Sequence, residues 1–319
     1  MLIKCDTIKI RTSYKYFLEE KIPFNIQYNP VKNVESGRYY HTKHNPNIPY
    51  NVYIGINNMH QSLEIEFSSK ILLERYPELI SKYTIRQCLE NLNKLGICTI
   101  DVDGVLKHGW IIKADVTKDV DLELTDEVLN ALNQNVGNYR RFKWQHYNHK
   151  GITFRKDVVY GKEEIVIYNK YKELSNNSWK FINTLPNKQD ILRYFAGKTR
   201  FEVKLDSERK ILEHICANSI YEFFDSIDTV NRTQFDKIFD VSAKPLDTSK
   251  CKKGWDEWSV AHILDYYHYD LKRIDQAMRA DGVFLSRNGH SNRMKLCEEV
   301  KAKVSRKENE IIRQVRSLL

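Results

Sequence analysis

Four stretches of this chain alternate apolar and polar residues with a period of two. They are SLEIEFSSK (62–70), GWIIKADVTK (109–118), EEIVIYNKYKEL (163–174) and KTRFEVKL (198–205). Successive side chains of a β-strand point to opposite sides of its sheet, so this pattern dictates one buried face and one polar face. One face collects Leu63, Ile65, Phe67, Ile112, Ala114, Val116, Ile165, Ile167, Phe201, Val203 and Leu205. The other collects Glu64, Glu66, Lys113, Asp115, Thr117, Tyr168, Lys170, Arg200, Glu202 and Lys204. In one sheet, these strands would gather carboxylates, lysines and one tyrosine on a single surface.

The rest of the chain supplies the frame. NVYIGI and SLEIEF flank NNMHQ as a hairpin, GITFRKDVVY and EEIVIYNKYKEL form another across Gly161-Lys162, and a turn is expected at Asp103-Gly104. Residues 23–50, rich in Asn, Pro and Tyr, read as a loop or irregular hairpin. Helices are expected over 71–96, broken near Pro77 and ended by Gly96, and over 124–137, capped by Thr125. From Asp206 onward the spacing is helical. The expected class is α+β, with an antiparallel-sheet domain over 1–206 and a mostly helical region over 207–319. No internal repeat is evident.

At 319 residues the chain can bury a substantial core. No apolar run approaches the roughly 20 residues that span a bilayer, and the charged N-terminus is unlike a secretory signal. The six cysteines are scattered and read as reduced thiols of a cytoplasmic protein. The net charge of +9 is concentrated: residues 137–210 hold 17 basic and 8 acidic residues, and the remainder holds 34 of each. Within that segment YRRFKWQHYNHK (139–150) interleaves aromatics with cations. Cations hold phosphates and aromatic faces stack on bases, which suits single-stranded or distorted nucleic acid. Arg140, Arg141, Lys143, Trp144, His146, His149, Arg155, Lys156 and Arg200 are the expected DNA contacts.

The polar face carries the chemistry. A phenol is a poor nucleophile at neutral pH until a nearby cation stabilises its anion, and Lys170 lies two residues from Tyr168. Acids gathered on one face repel unless a cation joins them; Asp115 and Glu202, with Glu66 as a third ligand, suit Mg²⁺ or Mn²⁺. Arg200 and Lys204 flank Glu202 and would neutralise it instead if the cluster were structural. The pairs His41/His44 and His146/His149 share a spacing of three but lie in polar, loop-like sequence. A glycine-rich phosphate loop and a Ser-His-Asp arrangement are absent, which argues against an ATPase or a hydrolase of those types.

The blocks LEIEFSSKIL, IIKADVTKD, EEIVIYNKYKEL and RYFAGKTRFEVKL, over about residues 62–206, resemble in order and spacing the replication initiators of filamentous phages of the gene II type. They are similar more distantly to plasmid rolling-circle initiators. VIYNKYKEL and FAGKTRFEVKL match best. The resemblance implies a nickase-like catalytic fold of the relaxase or rolling-circle Rep type. It also implies a metal-dependent endonuclease that nicks one strand of an origin and joins a tyrosine to the DNA 5′-phosphate. By position Tyr168 would be the nucleophile, Lys170 its helper, and Asp115 and Glu202 the metal ligands. Some relatives place the nucleophile a strand earlier, which makes Tyr160 the competitor and Tyr171 a distant third. Single-stranded and duplex origin DNA, and a host helicase or polymerase, are the implied partners. Two other readings stand beside this one: a DNA-binding initiator or repressor with no catalysis, and a metal nuclease that uses water.

Overall fold

A computed structural model describes residues 1–29, 31, 34–45, 47–136, 143–147, 151–158, 161–239, 248, 251, 254–267, 269–283, 286–304 and 310–319. The chain is mixed α and β, with a large antiparallel sheet and a helical C-terminal region. It divides into two compact units, 1–123 with 150–231, and 124–149 with 232–319. The change in sequence pattern near 206 falls inside the first of these.

The strands are β1 (Cys5–Ser13), β2 (Phe17–Glu20), β3 (Asn25–Asn29), β4 (Val34–His41), β5 (Val52–Asn57), β6 (Ser62–Ser68), β7 (Cys98–Ile100), β8 (Trp110–Val120), β9 (Lys143–Tyr147), β10 (Gly151–Val158), β11 (Gly161–Asn169) and β12 (Thr199–Leu205). In the first unit the sheet runs β3-β4-β5-β6-β1-β8-β12-β11-β10, while β2 and β7 pair separately. Its apolar face is dry: Ile8, Ile10, Ile65, Phe67, Ala114, Val116, Ile165, Ile167 and Phe201 are fully buried. The alternation of β6, β8, β11 and β12 thus marks the sheet as expected.

Three local expectations change. Residues 23–50 contain β3 and β4; β3 is exposed along most of its length, so it lacks the apolar stripe that reveals a strand. The expected turn at Asp103-Gly104 lies in a helix, Val102–His108, because the Asp101 side chain accepts from Gly104 N and caps it. Strand β11 stops at Asn169, whose side chain caps a helix over Lys170–Asn176, so Lys170 opens a helix instead of continuing the strand.

A two-fold pattern runs through the centre of this sheet. β1 and β8 pair antiparallel; β6, β5 and β4 follow on one side, and β12, β11 and β10 on the other, each set in the same chain order. The Ile8–Ala114 pair sits at the middle, flanked by an extra residue on each strand, Asp6 in β1 and Ile112 in β8. The register carries the relation outward. Gly37 faces Asn57 as Gly151 faces Tyr168. A Cβ on Gly37 would lie 2.2 Å from the Ile56 carbonyl oxygen, and one on Gly151 2.5 Å from that of Ile167. Cys5 N donates to Ile80 O as Ile111 N donates to Asn218 O.

The second unit packs Val260, Leu264, Ile274, Met294, Cys297 and Val300 from helices Trp255–Tyr266, Leu271–Ala280 and Arg287–Lys303. It also contains β9 and the helix Asp126–Gln134, whose cap is Thr125 as the sequence indicates. Among the described residues no helix is long and apolar enough to cross a membrane.

Candidate active site

Tyr168 stands at the end of β11, directly across from Arg200 in β12 and from Gly151 in β10. The missing side chain at Gly151 leaves room: a Cβ there would sit 2.8 Å from Tyr168 Cβ. The phenol donates to Glu202 Oε1 at 2.6 Å and accepts from Lys170 Nζ at 3.3 Å. Lys170 also pairs with Glu173 at 2.8 Å. The sequence therefore brings Tyr168, Lys170 and Glu202 into one hydrogen-bonded group, although Lys170 arrives from a helix.

Arg200 holds this group from below. Its side chain is 0% exposed. It donates from Nε and Nη2 to Asp119 at 2.6 and 2.8 Å and from Nη1 to Asp6 at 2.9 Å. Tyr76 Oη lies 3.3 Å from Nη1, and Glu202 lies 3.9 Å away. Arg200, expected at the DNA, is instead consumed inside the protein, because two buried carboxylates require its charge. Asp6 and Asp119 were not anticipated. Asp119 continues the β8 alternation and was legible from it. Asp6 has the wrong parity and reaches the polar face through the bulge.

The electrostatics follow from burial. Burial would raise the Asp6 carboxyl, yet Lys170, Arg200 and a hydrogen bond from Ser69 hold it well below the usual carboxylate range. Glu202 goes the other way: burial and the Asp6 charge raise it, against Lys170 and Arg200. Burial and the Glu202 charge push the Tyr168 phenol well above its ordinary value. The phenol is neutral at rest, and the oxygen beside it belongs to a carboxylate made more basic than usual.

Asp115 is pushed up to about 7, first by burial and then by the Glu202 charge. Its Oδ1 is buried and has no hydrogen-bond partner among the described residues. Two neighbouring carboxylates with an orphaned oxygen fit a hard divalent cation, which takes one or two carboxylates and completes its shell with phosphate oxygens and water. Glu66 does not join them. It pairs with Lys113 at 2.8 Å across β1, because β1 lies between β6 and β8. Among the described residues no three His, Cys, Asp or Glu side chains form a ready cation site.

Raised acids cost stability when ionised. Between about pH 4 and 7 the unfolded chain releases the Asp115 proton while the folded chain retains it, so stability falls as pH rises through that window. Asp115→Asn is therefore expected to stabilise the metal-free protein at pH 8 by about 2–4 kcal/mol. The gain should vanish near pH 4 in urea titrations at the two pH values.

Of the expected DNA contacts, Lys143, Trp144 and His146 belong to β9, and Arg155 and Lys156 to β10, where Arg155 faces Glu164. Arg140, Arg141, His149 and the competitor Tyr160 lie outside the described residues. Tyr171 is exposed on the helix after β11. Comparisons with protein-family models and with curated proteins find no match for this chain.

Proposed function

We propose that this chain is a DNA strand transferase of the rolling-circle, nickase-like type, which nicks one strand of a phage or plasmid origin and holds the 5′ end on Tyr168. The observation that carries the reading is the phenol of Tyr168 set between the Glu202 carboxylate at 2.6 Å and the Lys170 ammonium at 3.3 Å. Glu202 takes the phenolic proton as the oxygen attacks phosphorus, and Lys170 stabilises the phenolate. The phosphorus–O3′ bond breaks. The leaving oxygen takes a proton from water, the hydroxide left takes the proton held on Glu202, and the products are a 5′-phosphotyrosine and a free 3′-hydroxyl that primes synthesis. Asp115, with the Glu202 oxygen that does not face Tyr168, would hold Mg²⁺ or Mn²⁺, which would supply charge neutralisation at the phosphate. Arg200 is a positioning residue that fixes Asp6, Asp119 and, through them, the site floor. The basic segment 137–162 grips the strand, and the helical region binds duplex origin DNA or a host helicase or polymerase.

The test incubates the purified chain and Mg²⁺ or Mn²⁺ with labelled single strands tiling the replicon that encodes it, followed by a denaturing gel. A protein–DNA adduct is expected, lost in Tyr168→Phe and retained in Tyr160→Phe. Strand binding without adduct or nick would leave a non-catalytic DNA-binding initiator, and cleavage that survives both substitutions would mean attack by water.

A further inference from the structure

The two-fold relation of the sheet defines a second position where the Tyr168 group would recur. By register Asn57 takes the place of Tyr168, Glu64 that of Glu202, Lys9 that of Asp115 and Ser62 that of Arg200. A pocket of about 770 Å³ opens there, lined in part by Arg11, Lys15, Tyr16, Asn57, Glu64 and Trp110. The acid is kept but neutralised. Glu64 accepts from Arg11 at 3.0 and 2.7 Å and pairs with Lys9 at 2.5 Å. Burial would raise its carboxyl, but these two cations outweigh burial and hold it below its ordinary value. The ionisable nucleophile is gone, since an amide stands in its place, and a lysine replaces the orphaned carboxylate. In exchange the pocket has aromatic and basic surfaces. Tyr16 stacks on His108 with ring centroids 5.6 Å apart, Lys15 Nζ lies 4.9 Å over Tyr16, and Trp110 faces Arg11 across the β1–β8 pair.

We infer that this pocket is a non-catalytic docking site for a second stretch of the same single-stranded nucleic acid, holding phosphates on Lys15 and Arg11 and a base against Trp110. The inference rests on the strand-transfer reading for the identity of the ligand. Its own support is the swap of an acidic, reactive set for a cationic, aromatic one at the equivalent place. Cations beside an aromatic face suit a polyanion with stacking bases and would be wasted on a neutral ligand. Both positions lie on the same polar face, separated diagonally: β11 and β5 are five strand spacings apart, and Tyr168, level with Asp119, and Asn57, level with Ser13, are about ten residues apart along the strands, roughly 40 Å in all. One strand can therefore run across the face from the reacting phosphate to the pocket.

The full chain would be irradiated with an oligothymidylate carrying 4-thiothymidine, and cross-linked peptides mapped by mass spectrometry. Cross-links to Lys15 or Trp110 are expected, with competition by unlabelled oligothymidylate and little by thymidine monophosphate. Lys15→Glu changes only an exposed side chain, so its folding is not at issue. It should weaken oligonucleotide binding and flatten its salt dependence by about one unit of slope. Lys15→Glu with Trp110→Ala should weaken binding about tenfold. Absence of cross-links at these residues, unchanged affinity in Lys15→Glu, or equal competition by the mononucleotide would each overturn the inference. Adduct formation on Tyr168 is scored in the same unsubstituted protein. Cross-links at the pocket without an adduct would thus sustain the pocket and count against the catalytic reading alone.

Discussion

Tyr168→Phe is expected to abolish the covalent protein–DNA adduct and to slow strand cleavage by at least about 10⁴-fold, the scale seen when an enzyme loses its nucleophile. The change removes one oxygen and leaves the ring in its slot opposite Gly151, so strand affinity should move by less than about threefold. Stability should fall by about 1–3 kcal/mol, since Glu202 loses a donor at 2.6 Å and becomes a buried carboxylate with a weaker set of partners. The signature is thus a large kinetic loss beside a small thermodynamic one. Single-turnover cleavage, oligonucleotide anisotropy and urea titration separate the three quantities. Near-wild-type cleavage in this variant would remove Tyr168 from the chemistry and leave it as a packing residue.

Arg200→Met should be the most destabilising single change in the cluster, at about 3–5 kcal/mol, because it takes the paired charge from Asp119 and leaves Asp6 to Lys170 and Ser69. The pH dependence gives an independent check. In the wild type the Asp6 carboxyl is held below its ordinary value, so it contributes stability above about pH 4 that is lost as pH falls through the folded-state value. Without the guanidinium that contribution should shrink but keep its sign, since Lys170 and Ser69 still hold Asp6 down, and the variant should lose less stability than the wild type on acidification. Adding Asp119→Asn to Arg200→Met should recover part of the loss, since one stranded charge is gone. If Arg200→Met costs under about 1 kcal/mol, the pairing is a surface-like one and its burial means little.

The sheet face was legible because β6, β8, β11 and β12 each bury one side only, which writes the fold into the alternation of residues such as Ile65, Asp115 and Glu202. Three things were not. Strand β3 lies at the sheet edge with both faces wet, so Asn25–Asn29 has no stripe to read. Asp6 has the parity of buried Ile8 and Ile10, and only the register shift in β1 turns it to the polar face. The two-fold relation is hidden by the dissimilarity of the residues at equivalent positions. Tyr168 corresponds to Asn57 and Asp115 to Lys9, while Gly37/Gly151, Glu64/Glu202 and Ile56/Ile167 keep their residue type. Glu66 misled for a simpler reason: alternation gives the face, while distance across it depends on strand order, which no local pattern reveals.

The bond between Asp6 and Arg200 joins residues 194 positions apart. At about 5–20 residues per second on the ribosome, roughly 10–40 s separate the synthesis of the first partner from that of the second. From the completion of β8 until β12 is made, β8 has an open edge where β12 will pair. Its Lys113, Asp115 and Asp119 are suited to the wait, since charges along an unpaired edge discourage pairing with other chains. Tyr168 is likewise made before Glu202, the residue that would accept its proton. On the strand-transfer proposal, a truncated or stalled chain would carry the tyrosine without the carboxylate that takes its proton, and would gain the proposed activity only with β12.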